Sequence, residues 1–393
     1  MSADTEAVPL VPQPSEHLAT AAQTVATPAL IYDLDAVDEI VRRLALDVSL
    51  VPRARLNVAL KACHTPAVLQ RLAGLGLGCD VASVGELALA SAAGFDEISA
   101  TGPAFSVDDL RAFRDAGIVP DVDSMSQLRT YGDAFPGASV GLRLRIAAPE
   151  ALQTRASFWE DSRFGFERLS RELLGELARH RLEVTRLHVH TGQTTPAALR
   201  FKLDYLLAIA DVLPAVTTID LGGGFFHLYV NRAAARAALS DVAARVEDWS
   251  SATGRPLDLR FEPGAAVLAT SGYLVCTVRA VERHAMFGRL VTIDASAWNL
   301  APWHRPQVVV LGGGEETEQA VLAGNTLYEG DLFGRTHGDP VELEFATCAV
   351  GDRVLVTNAG AYTMTNARRF NRIEPPPEYG LAAGVLERLE AAA

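Results

Sequence analysis

The stretch LNVALKACHTPAVLQRL, residues 56–72, joins a short apolar run to a segment whose apolar residues recur at spacings of three and four. Such a pattern predicts a buried strand followed by an amphipathic helix. The same pattern repeats along the chain as far as residue 263. Eight strand-like runs alternate there with helix-like segments: LNVALK (56–61), GCDVA (78–82), EISA (97–100), VPDVD (119–123), SVGLRLRI (139–146), RLHVH (186–190), TTIDLG (217–222) and LDLRFEP (257–263).

Eight strand and helix units over roughly 210 residues have the length and rhythm of a (β/α)8 TIM barrel, so we expect an α/β barrel of this type. A doubly wound open sheet is the alternative fold for the same pattern. In a barrel, side chains at the carboxyl ends of the strands meet at one rim, where the chemistry of such folds takes place. Polar residues at the ends of these runs are therefore candidates for function.

The chain changes character after residue 270, where alternating runs without long helical segments predict an all-β domain of sandwich or barrel type. These runs are GYLVCTVRAVER (272–283), GRLVTIDAS (288–296), PQVVVLGGG (306–314), EQAVLAG (318–324), PVELEFATC (340–348) and DRVLVTNAG (352–360). The run ALIYDL (29–34) is expected to join the same domain. The predicted organisation is a disordered extension over 1–26, a strand over 27–35 that joins the β domain, a barrel over 36–267 and a β domain over 268–393.

The composition excludes several classes of partner. The chain has 393 residues, is 49% hydrophobic and carries a formal net charge of −13 at pH 7. A chain this acidic offers no basic face to neutralise phosphates, so nucleic acid and anionic membrane surfaces are not expected partners. No uninterrupted apolar stretch of about 18 residues occurs, so no membrane span is expected. The acidic, Pro-rich start lacks the pattern of a signal peptide, and we expect a cytoplasmic location.

Cysteine and histidine spacing gives no indication of a metal site. His188 and His190 lie two residues apart, which suits one face of a strand, but no cluster of His, Cys and carboxylate residues has zinc-ligand spacing. No metal is therefore expected. The cysteines also lack a disulfide framework, so we expect them to be reduced and mostly buried. They are Cys63, Cys79, Cys276 and Cys348.

Lysine is rare in this chain, which has 35 lysines and arginines together but only two lysines, Lys61 and Lys202. A guanidinium cannot be deprotonated in a protein, whereas an amine with a lowered pKa can form a Schiff base. Lys61, at the end of the first predicted strand, is therefore a candidate for chemistry. The alternative is a structural lysine whose stem packs on apolar surface while its charge reaches solvent.

Polar side chains stand at the ends of most predicted barrel strands and would meet at one rim. They are Lys61, Asp80, Asp123, Arg145, His188, His190, the loop Gly222–Gly224 and Glu262. Each type of residue also has a structural role: glycines form tight turns, strand histidines fill cores, and carboxylates cap neighbouring segments. Together, however, an amine, a glycine loop that can bind an anion, and a carboxylate that can pair with a pyridine nitrogen meet the demands of pyridoxal phosphate.

From about residue 27 onward the chain resembles the fold type III pyridoxal-phosphate-dependent decarboxylases, which include ornithine, arginine and diaminopimelate decarboxylases. The resemblance lies in the order and spacing of short motifs: TPALIYDLDAV (27–37), VALKAC (58–63), CDVASVGEL (79–87), DVDS (121–124), RLRI (143–146), SRFGF (162–166), HVHTGQ (188–193), DLGGGF (220–225), FEPG (261–264), GD (330–331) and NAGAYTMTNARRFN (358–371). It implies an alanine-racemase-like barrel with a C-terminal β domain, and decarboxylation of a small amino-acid substrate.

The resemblance also implies pyridoxal 5'-phosphate as cofactor, carried as a Schiff base by Lys61. The histidine matching His190 stacks on the cofactor ring, and the glutamate matching Glu262 pairs with the pyridine nitrogen. The full set of implied cofactor-binding residues is Lys61, Asp80, Arg145, His190, Gln193, Gly222, Gly223, Gly224, Glu262 and Tyr362, with Glu86 in a supporting position. The family's usual form is a homodimer with shared active sites, so we expect a dimer in which the β domain completes the partner's site.

Three positions depart from the family pattern. Ala265 stands where the family usually has an arginine on the cofactor phosphate, and Gln193 stands where it usually has a serine. Leu327 occupies the position of a cysteine that acts as an acid in the partner's site. Because an alkyl side chain cannot return a proton to Cα, that role falls to Tyr328, Lys61 or an ordered water.

The loop 324–331 bears on the substrate, for which the candidate binding residues are Arg305, Tyr328, Glu329 and Asp331. Tyr328 stands where the family often places an acid for a distal amine, so an ordinary ornithine or diaminopimelate substrate is not expected. The sequence favours decarboxylation of an unusual amino acid, as in siderophore or other specialised metabolite biosynthesis. Two alternatives stay open: the same cofactor with racemisation, decarboxylative transamination or oxidation as the outcome, and a non-catalytic relative that acts as a binding protein.

Overall fold

The computed structural model describes residues 14–301, 306–335 and 339–390. The chain divides into two compact units. The first comprises Val41–Lys61 and Gln70–Ala266, and the second comprises residues 14–40, Ala62–Leu69 and 267–390. Compared with the predicted division, residues 36–40 and Ala62–Leu69 group with the second unit instead of the barrel.

The described residues form strands and helices as follows. The strands are β1 (Ala29–Asp33), β2 (Ala54–Ala59), β3 (Gly78–Val81), β4 (Ile98–Thr101), β5 (Pro120–Val122), β6 (Ser139–Leu144), β7 (Glu183–Val189), β8 (Thr218–Asp220), β9 (Asp258–Phe261), β10 (Gly272–His284), β11 (Gly288–Ile293), β12 (Val308–Val310), β13 (Thr317–Ala323), β14 (Glu342–Ala346), β15 (Arg353–Val356), β16 (Glu378–Ala382) and β17 (Val385–Arg388). The α-helices are α1 (Glu16–Thr24), α2 (Leu34–Val48), α3 (Pro66–Gly74), α4 (Val84–Ala93), α5 (Val107–Asp115), α6 (Met125–Ala134), α7 (Arg171–His180), α8 (Pro196–Val212), α9 (Phe225–Leu228), α10 (Arg232–Thr253) and α11 (Ala265–Leu268).

The first unit is a closed parallel barrel in which β2 to β9 follow one another in sequence order and β9 pairs back with β2. Each of the eight predicted strand-like runs supplies one of these strands. The predicted (β/α)8 barrel is therefore confirmed, and the open sheet is excluded because the sheet has no free edge. Strands in such a barrel are covered on both faces, which explains why their sequences read as short, nearly continuous apolar runs.

Five barrel helices begin at a serine or threonine that directly follows a strand or loop. The side chains of Ser83, Ser106, Ser124, Ser170 and Thr195 each accept a hydrogen bond from the backbone N–H three residues later. These caps satisfy backbone donors that the first helical turn leaves unpaired. The chain is thereby turned from strand to helix at the rim where the polar strand ends lie.

The second unit contains a nine-stranded sheet whose main path is β14, β13, β11, β10, β1, β16 and β17, with β15 paired to β10 and β12. Strand β1 pairs antiparallel with β10 and parallel with β16, so residues from both ends of the chain share this sheet. The sheet confirms the predicted all-β texture after residue 270. Strands β16 and β17 are absent from the predicted runs, because they are only five and four residues long and contain Gly, Glu and Arg.

Two further sequence expectations concern the chain as a whole. All four cysteines are buried and free of disulfide bonds, as expected. Among the described residues, no helix combines the length and the apolarity that crossing a membrane would require.

Helix α1 corrects the prediction that residues 1–26 form a disordered extension; residues 1–13 lie outside the described residues. Ser15 caps the helix, and Leu18 and Ala22 are fully buried in the core of the second unit. At the other end, Arg353 Nη1 donates to the carbonyls of Ala22 and Val25 at 2.8 and 2.6 Å. The sequence analysis did not recognise the short apolar stripe of this helix, because acidic and Pro-rich residues lie nearby. Such a stripe is sufficient for a short helix when it packs against a sheet.

We expect the substitution Leu18→Ala to lower the free energy of unfolding by about 2–5 kcal/mol, because it leaves a cavity in a fully buried cluster. The matched control is Leu46→Ala on α2, whose side chain is 61% exposed and whose loss should cost less than about 0.5 kcal/mol. Urea unfolding followed by circular dichroism measures both variants. Equal stability of the two variants would show that α1 does not contribute to the folded core.

Candidate active site

Charged side chains line the barrel interior at the carboxyl ends of the strands. Side chains alternate along a strand, so Arg186 and His188 of β7 and His190 just beyond it share one face. Carboxylates approach this face from neighbouring strands. The buried acids are Asp80 of β3, Asp121 of β5, Asp220 of β8 and Glu262 directly after β9.

Arg186 holds this cluster together. Its Nε donates to both carboxylate oxygens of Asp121 at 3.1 and 3.0 Å, and its Nη2 donates to Asp220 Oδ2 at 2.5 Å. Burial alone would lower the pKa of Arg186, but Asp121 and Asp220 raise it above its usual value. The guanidinium is therefore a permanent positive charge, and it also lies 3.9 Å from Glu262 Oε1.

Glu262 and His188 are the members of the cluster with unsatisfied polar atoms. Oε1 of Glu262 and both ring nitrogens of His188 are buried without a hydrogen-bond partner in the described part of the chain. Burial and the neighbouring Asp220 raise the pKa of Glu262 well above its usual value, while Lys61 and Arg186 oppose the rise. Burial lowers the pKa of His188 to about 4, so its ring is neutral near pH 7. Buried polar atoms are normally paired, and these atoms are therefore placed to meet a polar group of a ligand.

The glycine loop Gly222–Gly224 is built for close approach of the backbone. Gly222 and Gly224 have φ values of 66° and 90°, in the region that favours glycine. A Cβ at Gly222 would lie 2.5 Å from the carbonyl of Val189, and one at Gly223 would lie 2.6 Å from the carbonyl of Glu262. The triplet is thus required by packing at this rim.

His190 is fixed by the same loop. The N–H of Gly223 donates to His190 Nδ1 at 3.2 Å, and the ring of Phe158 lies edge-on at 5.4 Å between centroids. Burial and the positive charge of Lys61 lower the pKa of His190 well below its usual value. A neutral imidazole held in place by a hydrogen bond at Nδ1 suits stacking on an aromatic ring.

The two lysines lie in opposite environments. Lys61 is exposed in the 3-10 turn Leu60–Ala62 that follows β2. Lys202 on α8 is fully buried, and burial lowers its pKa to about 7. The lysine that matches the expectation of a pKa lowered by burial is therefore Lys202, which the sequence did not assign to the site.

Other predicted cofactor residues of the barrel have partners within the protein. Asp80 Oδ1 accepts from Ser99 at 2.9 Å, and burial, with Glu262 nearby, raises the pKa of Asp80 well above its usual value. Gln193 Oε1 accepts from the N–H of His227 at 3.2 Å. Asp80 thus lies in the charged cluster, whereas Gln193 fixes the start of the segment after the glycine loop.

Two arginines of the RLRI motif have different surroundings. Arg145 Nη1 donates to the carbonyl of Ser162 at 2.9 Å, so its guanidinium supports the following loop. Arg143 is only 9% exposed, and its guanidinium lies 4.6 Å from the ring centroid of Phe164. Burial lowers the pKa of Arg143, while the negative charge of Glu262 opposes that shift. Arg143 is therefore a second arginine of this motif beside the acids, and the cofactor-binding role of Arg145 stays a prediction.

Five predicted residues belong to the second unit or lie outside the described residues. Asp331 is 3% exposed, and its carboxylate accepts four hydrogen bonds, from Ser296, Ala297 and both the N–H and the hydroxyl of Thr326. A carboxylate used in this way organises its own loop, so the structure does not support the predicted substrate role of Asp331. Arg305 lies outside the described residues.

Tyr362 and Glu329 have different surroundings in that unit. Tyr362 has a φ of 58°, and its N–H donates to the carbonyl of Ala62 at 2.7 Å. Glu329 is exposed next to Tyr328. The backbone of Tyr362 is therefore fixed at a defined point of the unit, and Glu329 keeps an exposed carboxylate beside the tyrosine.

Tyr328 belongs to an aromatic cluster in the second unit that is centred on Trp298. The ring centroid of Trp298 lies 4.6 Å from Tyr328 and 4.9 Å from Phe370, and the guanidinium of Arg368 lies 5.0 Å above the Trp298 ring. Leu327, beside Tyr328, is 91% exposed. The loop that carries Leu327 thus presents apolar and aromatic surface.

His188, Asp220 and Glu262 also have the spacing of a metal-ligand set, with one ligand atom of each within 4.8 Å of the others. Arg186 already donates to Asp220 and approaches Glu262, and its positive charge occupies the electrostatic position that a cation would take. The close spacing of these buried acidic side chains is therefore explained by their interaction with Arg186.

Sequence reasoning missed Arg186, Asp121 and Asp220 as members of the site. A signal was present, because charged residues inside apolar strand runs are rarely buried without a purpose. The alternation in RLHVH also places Arg186 on the face of the two histidines. Which carboxylates it meets depends on strand order and register, which periodicity does not give.

Comparison with known proteins gives a consistent result. A family model described as pyridoxal-dependent decarboxylase, pyridoxal binding domain, matches residues 37–269. The chain is 27% identical to a diaminopimelate decarboxylase of Methanothermobacter thermautotrophicus, over 92% of this chain and 88% of that protein. It is 26% identical to a lysine/ornithine decarboxylase of Selenomonas ruminantium, over 93% of this chain and 94% of that protein.

Solved structures show the same fold. A crystal structure of diaminopimelate decarboxylase superposes with a TM-score of 0.81 at 23% identity, covering 94% of this chain and 92% of that chain. A crystal structure of lysine decarboxylase from Selenomonas ruminantium gives a TM-score of 0.77 at 24% identity, covering 94% of this chain and 96% of that chain. Both units of the chain therefore have counterparts in single known proteins.

The residues of the barrel rim fit pyridoxal phosphate. Glu262 Oε1 is a buried acceptor without a partner among the described residues, as a ring N–H requires. His190 presents a neutral ring, and the Gly222–Gly224 loop leaves no room for a Cβ. Lys61 is exposed at the end of β2, where an aldehyde can reach it.

Replacement of Arg186 by methionine should lower the free energy of unfolding by about 3–5 kcal/mol, because Asp121 and Asp220 would stay buried without a compensating charge. The matched control is Arg200→Met, which breaks an exposed pair with Asp241 and should cost about 0–1 kcal/mol. Chemical denaturation of both variants provides the comparison. A loss no larger than that of the control would mean that Arg186 does not hold the cluster.

Proposed function

The chain belongs to the pyridoxal-dependent decarboxylases and is a carboxy-lyase of the type that includes diaminopimelate and lysine decarboxylases, and we propose that its substrate is an unusual amino acid whose distal part is apolar or aromatic. The observation that supports this proposal is the aromatic cluster that contains Tyr328. Amino acids of specialised metabolism, including those of siderophore assembly, are the class to test first.

The side chains of the loop 324–331 are the reason for proposing a substrate other than a diamine precursor. Tyr328 packs on Trp298, and the neighbouring Leu327 exposes an alkyl side chain. Asp331 has no acceptor capacity left for a distal ammonium after its four hydrogen bonds. Glu329 stays as the exposed acid of the loop, available to a polar group on an otherwise apolar substrate.

In this proposal the barrel residues divide the work of decarboxylation. Pyridoxal phosphate, when bound, supplies an electron-poor ring that accepts the electron pair left by departing CO2. Lys61 would hold it covalently, and Glu262 would hold the proton on its ring nitrogen. Arg186 keeps positive charge beside Glu262, and His190 would cover one face of the ring and exclude water there. Lys61 and Tyr328 are the side chains proposed to return a proton to Cα.

The proposal includes a homodimer with shared active sites and a cytoplasmic location. The exposure of Leu327 and Tyr328, at 91% and 44%, supports the first part, because a loop with this much apolar surface is suited to a contact with a second chain. Light scattering of the purified protein gives its mass in solution, and a monomer would remove the shared site from the proposal.

A second outcome for the same cofactor is favoured by Leu327, which cannot act as an acid where the family has a cysteine. Protonation of the cofactor in place of Cα after CO2 leaves would give decarboxylative transamination. Racemisation would instead require loss and return of the Cα proton with the carboxylate retained, and oxidation would require O2 as a co-reactant. Chromatography of the products separates these outcomes, since decarboxylation gives an amine, transamination an aldehyde, and racemisation an inverted amino acid. A protein that binds the cofactor and turns over none of the amino acids tested would favour the non-catalytic alternative.

Lys61→Ala should abolish covalent attachment of pyridoxal phosphate and all turnover, because no other side chain replaces the amine. Borohydride reduction followed by peptide mapping tests this, and the chain makes the result clear because it has only two lysines. We expect the pyridoxyl label on Lys61 in the unmodified protein. A label on Lys202, or turnover by the variant, would contradict the assignment.

Tyr328→Ala should raise KM for the accepted amino acid about tenfold, because it removes the ring that packs on Trp298. Tyr328→Phe keeps the ring and removes the hydroxyl, so it should leave KM unchanged and lower kcat if Tyr328 returns the proton. CO2 release from a panel of apolar, aromatic and basic amino acids measures both parameters. The control is Val350→Ala, at a 65% exposed position of the same unit. Preference for lysine or ornithine over all others would contradict the proposed substrate class.

A further inference from the structure

Lys202 is a buried amine directly beneath the glycine loop. It lies on α8 with no exposed surface, and its Nζ donates to the carbonyl of Leu221 at 2.7 Å and to Thr194 Oγ1 at 3.0 Å. Leu221 is the residue immediately before the glycine triplet. One of the two lysines of this chain is thus bonded to the residue that directly precedes the glycine loop.

Thr194 extends this contact into the loop. Its hydroxyl donates to the carbonyl of Gly223 at 3.3 Å, and its N–H donates to the carbonyl of Gly224 at 3.1 Å. The ammonium of Lys202, Thr194 and the carbonyls of Gly223 and Gly224 therefore form one hydrogen-bond network. With these carbonyls directed toward Thr194, the loop is held in one conformation.

The charge of Lys202 lacks a close acidic partner. No carboxylate of the described residues forms an ion pair with its Nζ, although Asp220 and Glu262 act on it from a greater distance. A buried ammonium bonded only to neutral oxygens is costly, and a nearby anion lowers that cost. The position is therefore suited to a bound anion on the other side of the loop.

We propose that Lys202 is a positioning residue for the cofactor phosphate: through Thr194 and Leu221 it fixes the Gly222–Gly224 loop, and its ammonium supplies the positive charge that Ala265 cannot provide. The inference rests on the proposed placement of the phosphate at this loop. It explains why an arginine-rich chain keeps a lysine here, since the compact ammonium fits a closed space that a planar guanidinium would not.

The proposal has a consequence for pH dependence. Lys202 has a pKa of about 7, so above that pH it loses the charge that would attract the phosphate. The phosphate itself is a dianion there, since its second pKa is about 6. Asp220 and Glu262 favour the charged amine, and His190 across the loop is neutral in this range. Affinity for a phosphorylated cofactor should therefore fall as the pH rises from 7 to 9.

The test compares pyridoxal phosphate with pyridoxal, which lacks the phosphate but forms the same bond to Lys61. Cofactor is removed from the purified protein, and both compounds are titrated by absorbance at pH 7 and pH 9. Lys202→Met should weaken pyridoxal phosphate binding about 10- to 100-fold at pH 7, change pyridoxal binding less than about threefold, and flatten the pH dependence. The control is Arg200→Met, which removes an exposed charge from the same helix.

Thr194→Val provides a second variant that keeps the amine and removes the hydroxyl between it and Gly223. It should weaken pyridoxal phosphate binding in the same selective way, even if Lys202→Met does not fold. Equal loss of pyridoxal and pyridoxal phosphate, or no loss in either variant, would overturn the role of Lys202 while leaving the proposed function intact. Failure of the unmodified protein to bind either compound at Lys61 would overturn the proposed function and this inference together.

Discussion

The guanidinium of Arg186 is the interaction on which the barrel rim depends. It neutralises Asp121 and Asp220, two carboxylates with no exposed surface, and stands 3.9 Å from Glu262. Without it, four acids would share one buried volume, and proton uptake would replace ionic bonding. The cluster also requires a glycine at position 141, because a Cβ there would collide with the carboxylate of Asp121.

The cluster also explains why a few atoms are left for a ligand. Arg186 donates hydrogen bonds to Asp121 and Asp220, and burial keeps the ring of His188 neutral. Oε1 of Glu262 has no hydrogen-bond partner among the described residues. Glu262 is therefore the acid whose charge state a bound group can decide. A pyridine nitrogen that brings its own proton would convert an unsatisfied buried acceptor into a charge-assisted hydrogen bond.

The rarity of lysine has two separate explanations. Lys61 is accessible and adjacent to the acids of the rim, as covalent attachment of a cofactor requires. Lys202 is closed in and bonded to the carbonyl that precedes the glycine loop. An exposed amine can react, whereas a buried one supplies charge and geometry. Arginine serves neither role well, because it is too large for the second position and unreactive at the first.

The amino-acid sequence by itself determined the eight barrel strands, the β domain after residue 270, and the rim positions of Lys61, His190, the glycine loop and Glu262, because periodicity and strand ends are local properties. It also left clear signals in the two lysines and in the alternation of RLHVH. Only the tertiary structure decided that α1 packs on the sheet and that Lys202 is bonded to the residue before the glycine loop. It also decided that Arg143 is buried within the influence of Glu262, and that the carboxylate of Asp331 is fully used in hydrogen bonds to Ser296, Ala297 and Thr326. These pairings depend on the order and register of strands far apart in the chain and on which side chains burial deprives of water, and neither is encoded in any short stretch.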